Sequence, residues 1–200
     1  MSLWKFGLEV FVALFVIMDP PGSAPIFLGL VSDKSAAERK KLALHATLVA
    51  FSVITLFALF GQFILSYLGI SLSAMQAAGG LLLLLVSLEL LTGKDQGHQS
   101  AGDTNIALVP LGTPLLAGPG AIVATIIFVR RIETVNEGLV LAAAVIAVHV
   151  ALWLILRASS GVFRVLRQSG VTLVARIAGL LLSAIAVQMI ADAIRAFVKA

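Results

Sequence analysis

The chain predicts an all-α membrane protein of six transmembrane helices, arranged as two inverted-topology repeats of three, with the first and fourth helices discontinuous. Three observations predict it. Of 200 residues, 60% are hydrophobic and 12% charged, about half the charged fraction of a soluble domain. Apolar runs long enough to span a bilayer recur six times. Two of them are broken at mid-depth by prolines and glycines, once in MDPPGSAPIF near the N-terminus and again in GTPLLAGPGAI in the second half.

A helical span needs about 20 apolar residues, and the chain supplies runs near residues 6–31, 42–68, 73–92, 105–129, 135–156 and 172–197. The mean hydropathy of +1.09 leaves little for a soluble domain. The first run carries Glu9, and it has Asp19-Pro20-Pro21 where a signal peptide would place a small-residue cleavage site. It therefore reads as a retained span. The second and fifth runs are long and unbroken; the third and sixth open on glycine, in Gly80-Leu81-Leu82-Leu83 and Gly179-Leu180-Leu181-Leu182. Residues 93–105, GKDQGHQSAGDTN, form the one plainly hydrophilic linker, read as a cytoplasmic loop. Residues 159–170, SSGVFRVLRQSG, alternate Phe163, Val165 and Leu166 with Arg164 and Arg167, which suits a short amphipathic helix on the inner leaflet.

Each half thus has a broken span, a long span and a glycine-led span. Three is odd, so the second copy enters the membrane from the other side. Asp19-Pro20 with Pro25 repeats the spacing of Thr113-Pro114 with Pro119, and the offset joining the two glycine-led runs lays Glu89 over Gln188. The implied units are residues 1–97 and 105–200, joined by the linker 98–104.

A formal charge of +4 and a pI near 9.9 would suggest nucleic acid in a soluble protein. Here the cations flank spans and report topology, so no nucleic-acid partner is expected. One face holds Lys5, Arg130, Arg131, Arg195 and Lys199. The other holds Lys34, Arg39, Lys40, Lys41, Lys94, Arg157, Arg164, Arg167 and Arg176. The positive-inside rule makes the richer face cytoplasmic and places both termini outside. With no cysteine, disulfides, thiolate metal sites and thiol catalysis are excluded.

The breaks carry the chemistry. A half-helix ending near Met18 presents free carbonyls, and Asp19 adds a formal charge; a half-helix beginning near Ser23 presents free N–H groups. Such a gap can hold a small zwitterion. Gly22, Gly118 and Gly120 remove bulk and permit close approach to backbone. Pro20, Pro25, Pro114 and Pro119 keep the helices from closing over the gap. Isolated prolines and glycines often only kink a membrane helix, but two breaks at matching positions of inverted halves favour a binding site. A carboxylate at the bilayer centre costs at least about 2.5–3.5 kcal/mol and marks a pathway; Asp19 also suits a helix N-cap, and the two readings are compatible.

Other polar residues are weaker candidates. His45 and His149 fall one in each half and could carry protons; His45 stands close to the interface and His149 deeper. Asp192 is placed for an i,i+3 pair with Arg195, Glu89 reaches towards the inner edge, and Trp4 and Trp153 suit interfacial anchoring. No residue pattern resembles a metal cluster, phosphate loop or nucleophile triad, and an intramembrane enzyme ranks last among the readings.

The runs MDPPGSAPIFLGL and VPLGTPLLAGPGAI, with QMIADAIR near the C-terminus, resemble the MarC family of bacterial and archaeal inner-membrane proteins over essentially the whole chain. The resemblance implies six spans in two inverted repeats, with transport of small neutral amino acids such as glycine and alanine, coupled to protons or sodium. The family's association with multiple antibiotic resistance is a naming legacy and is not carried over. Its first motif falls on Asp19, Pro20, Gly22, Pro25, Ile26 and Phe27, its second on Pro114, Ala117, Gly118, Pro119 and Gly120, and its last on Gln188 and Asp192. The family often has Asn where Asp19 stands, and an aliphatic residue where this chain has Pro21.

The expected function is a secondary transporter working by alternating access at a midplane site, lined by Asp19, Pro20, Pro21, Gly22, Ser23 and Pro25 on one side and Gly112, Thr113, Pro114, Ala117, Gly118, Pro119 and Gly120 on the other. His149, Gln188, Asp192 and His45 are the coupling or gating candidates. No cofactor is expected beyond a coupling proton or sodium; the partners are the bilayer, the substrate and, as an option left open, a second copy of the chain. The alternatives are a channel or pore, in which the breaks form a filter, and a membrane scaffold, in which they are packing kinks.

Overall fold

A computed structural model describes residues 2–31, 33–92 and 116–199. Among them every regular element is helical: α1 (Leu3–Met18), α2 (Pro20–Leu30), α3 (Ala36–Tyr67), α4 (Leu72–Thr92), α5 (Pro119–Arg130) and α6 (Val135–Lys199). The linker 93–105 and the site candidates Gly112, Thr113 and Pro114 lie outside the described residues.

Local chemistry sets the boundaries. Pro20 and Pro21 have no N–H to donate back into α1, so α1 stops at Met18 and the prolines start α2 at its first two positions. The sequence places this second helix near Ser23; the structure starts it at Pro20, because proline is pre-organised for the first helical turn. α3 begins with a capping box, in which the Glu38 N–H donates to Ser35 Oγ at 3.3 Å and the Ser35 N–H to Glu38 Oε2 at 2.8 Å. Gly69, at φ 64°, lets the chain turn into α4. Pro119 opens α5.

The fifth and sixth expected spans, and the segment 159–170 expected as a separate amphipathic helix, all lie in the single helix α6. No proline follows Pro119, and Gly161 and Gly170 cost a helix interior only about 1 kcal/mol each, so helical backbone continues through the segment. It is not straight. Val140 meets Gly7 of α1, and Met189 meets Gly79 of α4 beside Val123 of α5; Phe128, further along the same short α5, is 6.3 Å from Phe6 of α1. A straight helix would hold Val140 and Met189 about 74 Å apart, so the chain reverses between residues 159 and 179. Among the described residues, four helical stretches are long and apolar enough to cross a membrane: Ala36–Tyr67, Leu72–Thr92, Val135–Ser159 and Gly179–Val198.

Two apolar clusters hold the helices together. The larger joins the i,i+4 stripe Phe6, Val10, Leu14 and Met18 of α1 to Leu141, Val145, Val148 and Leu152 of α6, with residues of α2, α3 and α5. The smaller joins Leu83 of α4, Val123 of α5, and Leu182, Ala186 and Met189 of α6. Ile17 packs against both. Outward faces carry Leu59, Phe63, Leu180 and Val187, which lipid accommodates without cost.

Small residues let α4 and α6 approach closely. A Cβ on Gly80 would stand 2.9–3.2 Å from Ile190, Ala186 and Met189, and one on Gly179 would stand 3.0–3.1 Å from Ser87, Leu90 and Leu91. These contacts are reciprocal: adding to 87, 90 and 91 the interval that separates Gly80 from Gly179 yields 186, 189 and 190.

Candidate functional site

Asp19 links α1 to α2 in the left-handed conformation, φ 42° and ψ 64°, and among the described residues it is the one non-glycine with positive φ. Asp and Asn tolerate this region better than other side chains because their short polar groups bond locally. Asp19 uses that property fully. Its N–H donates to the Phe15 carbonyl at 3.1 Å, closing α1, and its carbonyl accepts from the Ser23 N–H at 2.9 Å. Its Oδ1 accepts from the Gly22 N–H at 3.1 Å. The Ser23 hydroxyl donates back to the Met18 carbonyl at 3.3 Å.

The sequence reading expects free N–H groups at the start of α2, and the structure corrects this. Pro20 and Pro21 have none, and those of Gly22 and Ser23 are taken by Asp19. The N-cap reading of Asp19 is therefore realised. Gly22 is required by it: a Cβ there would lie 2.0 Å from Asp19 Oδ2. Asp19 and Ser23 are only 9% and 5% exposed, with Pro20 and Gly22 also buried. Pro25 lies within α2, and having no N–H it leaves the Pro21 carbonyl without its usual partner four residues on.

The second break, as far as it is described, differs. Leu116 and Ala117 are fully buried, and Gly118 forms the N-cap of α5 in extended conformation, with no side-chain cap. Pro119 lacks an N–H, and the N–H groups of Ala121 and Ile122 both reach the Gly118 carbonyl, at 3.0 and 3.1 Å. A Cβ on Gly120 would meet Leu83 at 3.1 Å and Ile17 at 3.3 Å. The start of α5 thus abuts the end of α1, two residues before Asp19.

The remaining candidates lie elsewhere. His45 is on an exposed face of α3. His149 is 4% exposed, its Nδ1 lies 2.8 Å from the Val145 carbonyl, and its ring stands edge-on to Phe51 at 5.2 Å; this places it between α3 and α6. Gln188 Nε2 donates to both oxygens of Asp192 at 2.9 and 3.0 Å, and Arg195 pairs with the same carboxylate at 3.2 Å. That i,i+3 pair is the one the sequence indicated. The three form an exposed ladder on α6, and among the described residues none of them hydrogen-bonds Asp19.

One feature escaped sequence reasoning. Arg131, after α5, is bidentate on Glu9 of α1, with the second bond at 3.1 Å, and its guanidinium lies 5.8 and 5.5 Å from the ring centroids of Phe6 and Phe128. Glu9 raises the Arg131 pKa further above its ordinary value. The partners are 122 positions apart, so no local spacing could announce them; a carboxylate inside an apolar run was the only hint. The pair places the turn after α5 at the same end of the bundle as the start of α1.

Known proteins resemble this chain along its whole length. A UPF0056 membrane protein of Methanocaldococcus jannaschii is 37% identical over 199 residues, covering 96% of this chain and 97% of the relative. One from Aquifex aeolicus is 33% identical over 206 residues, covering 98% and 96%, and the UPF0056 membrane protein YhcE of Escherichia coli is 33% identical over 195 residues, covering 94% and 91%. No solved structure matches the chain. The family model described as MarC family integral membrane protein matches residues 4–198, and the chain is a multi-pass integral membrane protein that belongs to the MarC family.

Proposed function

We propose that this chain is a secondary transporter of small neutral amino acids, glycine and alanine, whose site lies where the Asp19 break meets the start of α5. The observation that carries the reading is the juxtaposition at Gly120, whose neighbours are Ile17 from the end of α1 and Leu83 from α4. Two interrupted helices put their ends together inside a bundle, an arrangement suited to a small zwitterion. α1 and α2 are read as the two halves of a broken first span and α5 as the second half of a broken fourth. The reciprocal contacts of Gly80 and Gly179 support an inverted repeat, since a two-fold axis exchanges α4 with the last part of α6.

The substrate carboxylate sits at the N-terminus of α5, where Gly118 offers no competing side chain and the helix dipole is positive. The ammonium group sits against the Pro21 carbonyl and the free oxygen of Asp19. Asp19 tunes this end and holds the break open, and Asn could do the same. The small residues Gly22, Ala117, Gly118 and Gly120 limit the site to side chains the size of hydrogen or methyl. The Glu9–Arg131 pair closes one end of the bundle and breaks as that end opens. Among the described residues His45, His149, Gln188 and Asp192 make no hydrogen bond to the Asp19 break, and this reading gives them no part in the site.

Reconstituted protein tests the reading. Saturable uptake of labelled alanine, accelerated by glycine on the opposite side, is expected, since a channel shows neither saturation at low substrate nor counterflow. Absence of binding and uptake for both amino acids, with Asp19→Ala indistinguishable from the parent protein, overturns it.

A further inference from the structure

The groove between α3 and the Val135–Ser159 stretch of α6 has no part in that site. Thr47, Leu48 and Phe51 face Ile146, His149 and Trp153 across a cavity of about 210 Å³. Leu48 and Ile146, on opposite walls, are half exposed, so the groove opens sideways, towards lipid. His149 Nε2 and Trp153 Nε1 are covered and have no partner among the described residues, leaving only apolar surface towards the groove. An apolar space does not hold ordered water; hydrocarbon fills it.

One end of the groove is cationic. Phe51 meets His149. Because α6 starts from the end of the bundle where Arg131 meets Glu9, while α3 starts from the end to which α1 and α2 lead, the two helices run antiparallel there. Thr47, a turn before Phe51, and Trp153, a turn after His149, both line the groove. A further turn along α6, Arg157 lays its guanidinium over the Trp153 ring, 5.1 Å from its centroid. A further turn back along α3, Lys40 and Lys41 stand four and three residues before Leu44, on its face. All three cations are exposed, and among the described residues none is paired with a carboxylate. Stacking on Trp153 fixes Arg157 at the mouth of the groove.

The geometry points to a binding site for one anionic phospholipid, with an acyl chain in the groove beside Phe51, His149 and Trp153 and its phosphate between Arg157 and Lys41. A zwitterionic lipid fills the same groove but gains less at the rim, where each cation near an anionic headgroup is worth about a five-fold preference. Arg157 is held by an aromatic ring instead of an acid, so its charge is available to the lipid.

Trp4 and Trp153 are the two tryptophans, and Trp4 is 78% exposed, so Trp4→Phe leaves a single fluorophore on the wall of the groove. This protein is reconstituted in bilayers containing chain-brominated phosphatidylglycerol or chain-brominated phosphatidylcholine, and quenching of Trp153 is followed against mole fraction. Half-quenching is expected at about 25-fold lower mole fraction of the phosphatidylglycerol, about five-fold for each of Arg157 and Lys41. Arg157→Gln with Lys41→Gln in the same background brings the two lipids together, and Val150→Phe, which fills the groove, removes the high-affinity quenching by phosphatidylglycerol. Equal quenching by both lipids in the Trp4→Phe protein overturns the site, as does a headgroup preference that survives the loss of both cations. The first comparison needs no second variant and stands if the double variant fails to fold. None of these outcomes depends on amino acid transport.

Discussion

The two helix breaks look alike in sequence and differ in how their backbone is satisfied. At the first, Asp19 closes α1 with its N–H, starts α2 with its carbonyl and caps it with its carboxylate. At the second, Gly118 starts α5 with no side-chain cap. The difference teaches that the breaks are not equivalent: the first satisfies its own helix ends and leaves one carboxylate oxygen and the Pro21 carbonyl over, and the second has no side-chain cap, which is the terminus the proposed reading gives to the substrate carboxylate.

Substitutions at the two glycines should separate these roles most strongly. Gly22→Ala drives a methyl group into Asp19 Oδ2 and removes the cap, at a cost of about 2 kcal/mol or more in stability. Gly120→Ala asks only a few tenths of an ångström from Leu83 and Ile17, at about 1 kcal/mol. Thermal unfolding of the purified proteins checks the order; an equal or reversed pair of shifts would show that the Asp19 cap does not hold the first break.

Changes at Asp19 sharpen the same contrast. Asp19→Ala loses the cap, about 1 kcal/mol, and places alanine in the left-handed region at about 1–2 kcal/mol, so both stability and uptake should fall. Asp19→Asn keeps the conformation and an oxygen acceptor and should retain uptake. Retention by the alanine variant, or loss by the asparagine variant, would each contradict the local role assigned to this residue.

Much of this was legible in the sequence, and the reasons are particular. Proline chemistry announced the end of α1, because Pro20 and Pro21 cannot donate into it under any tertiary arrangement. Pro119, which opens α5, stands among the prolines read as breaking the second run. The closure of the α2 terminus was harder to read, since it depends on Asp19 adopting positive φ and folding its carboxylate over Gly22. The continuation of helix through residues 159–170 into α6 is harder to read, because the alternation of Phe163, Val165 and Leu166 with Arg164 and Arg167 sets the segment apart from the apolar runs on either side. The Glu9–Arg131 pair depends on tertiary structure alone. The matches at Gly80 and Gly179 were visible as repeated letters, but only the fold shows them packing on each other's helices.

The Glu9–Arg131 pair gives the smallest expected effect. Both side chains are two-fifths exposed, so Glu9→Gln or Arg131→Gln should cost about 0.2–1 kcal/mol. If the pair joins α1 to the end of α5 as a unit, the double variant should lose no more than the larger single loss, which a double-mutant cycle on thermal unfolding measures. Additive losses would mean that the two residues act separately.

The most direct measurement installs at the second break the cap that the first already has. Gly118 is in extended conformation at φ −63° and ψ 164°, which serine adopts readily, and Gly118→Ser should leave stability unchanged or raise it by a few tenths of a kcal/mol. In proteoliposomes, glycine-stimulated alanine uptake should fall at least about tenfold, since the new hydroxyl takes the Gly120 N–H, which the Gly118 carbonyl leaves for the substrate carboxylate. A folded Gly118→Ser protein with undiminished uptake would contradict the account.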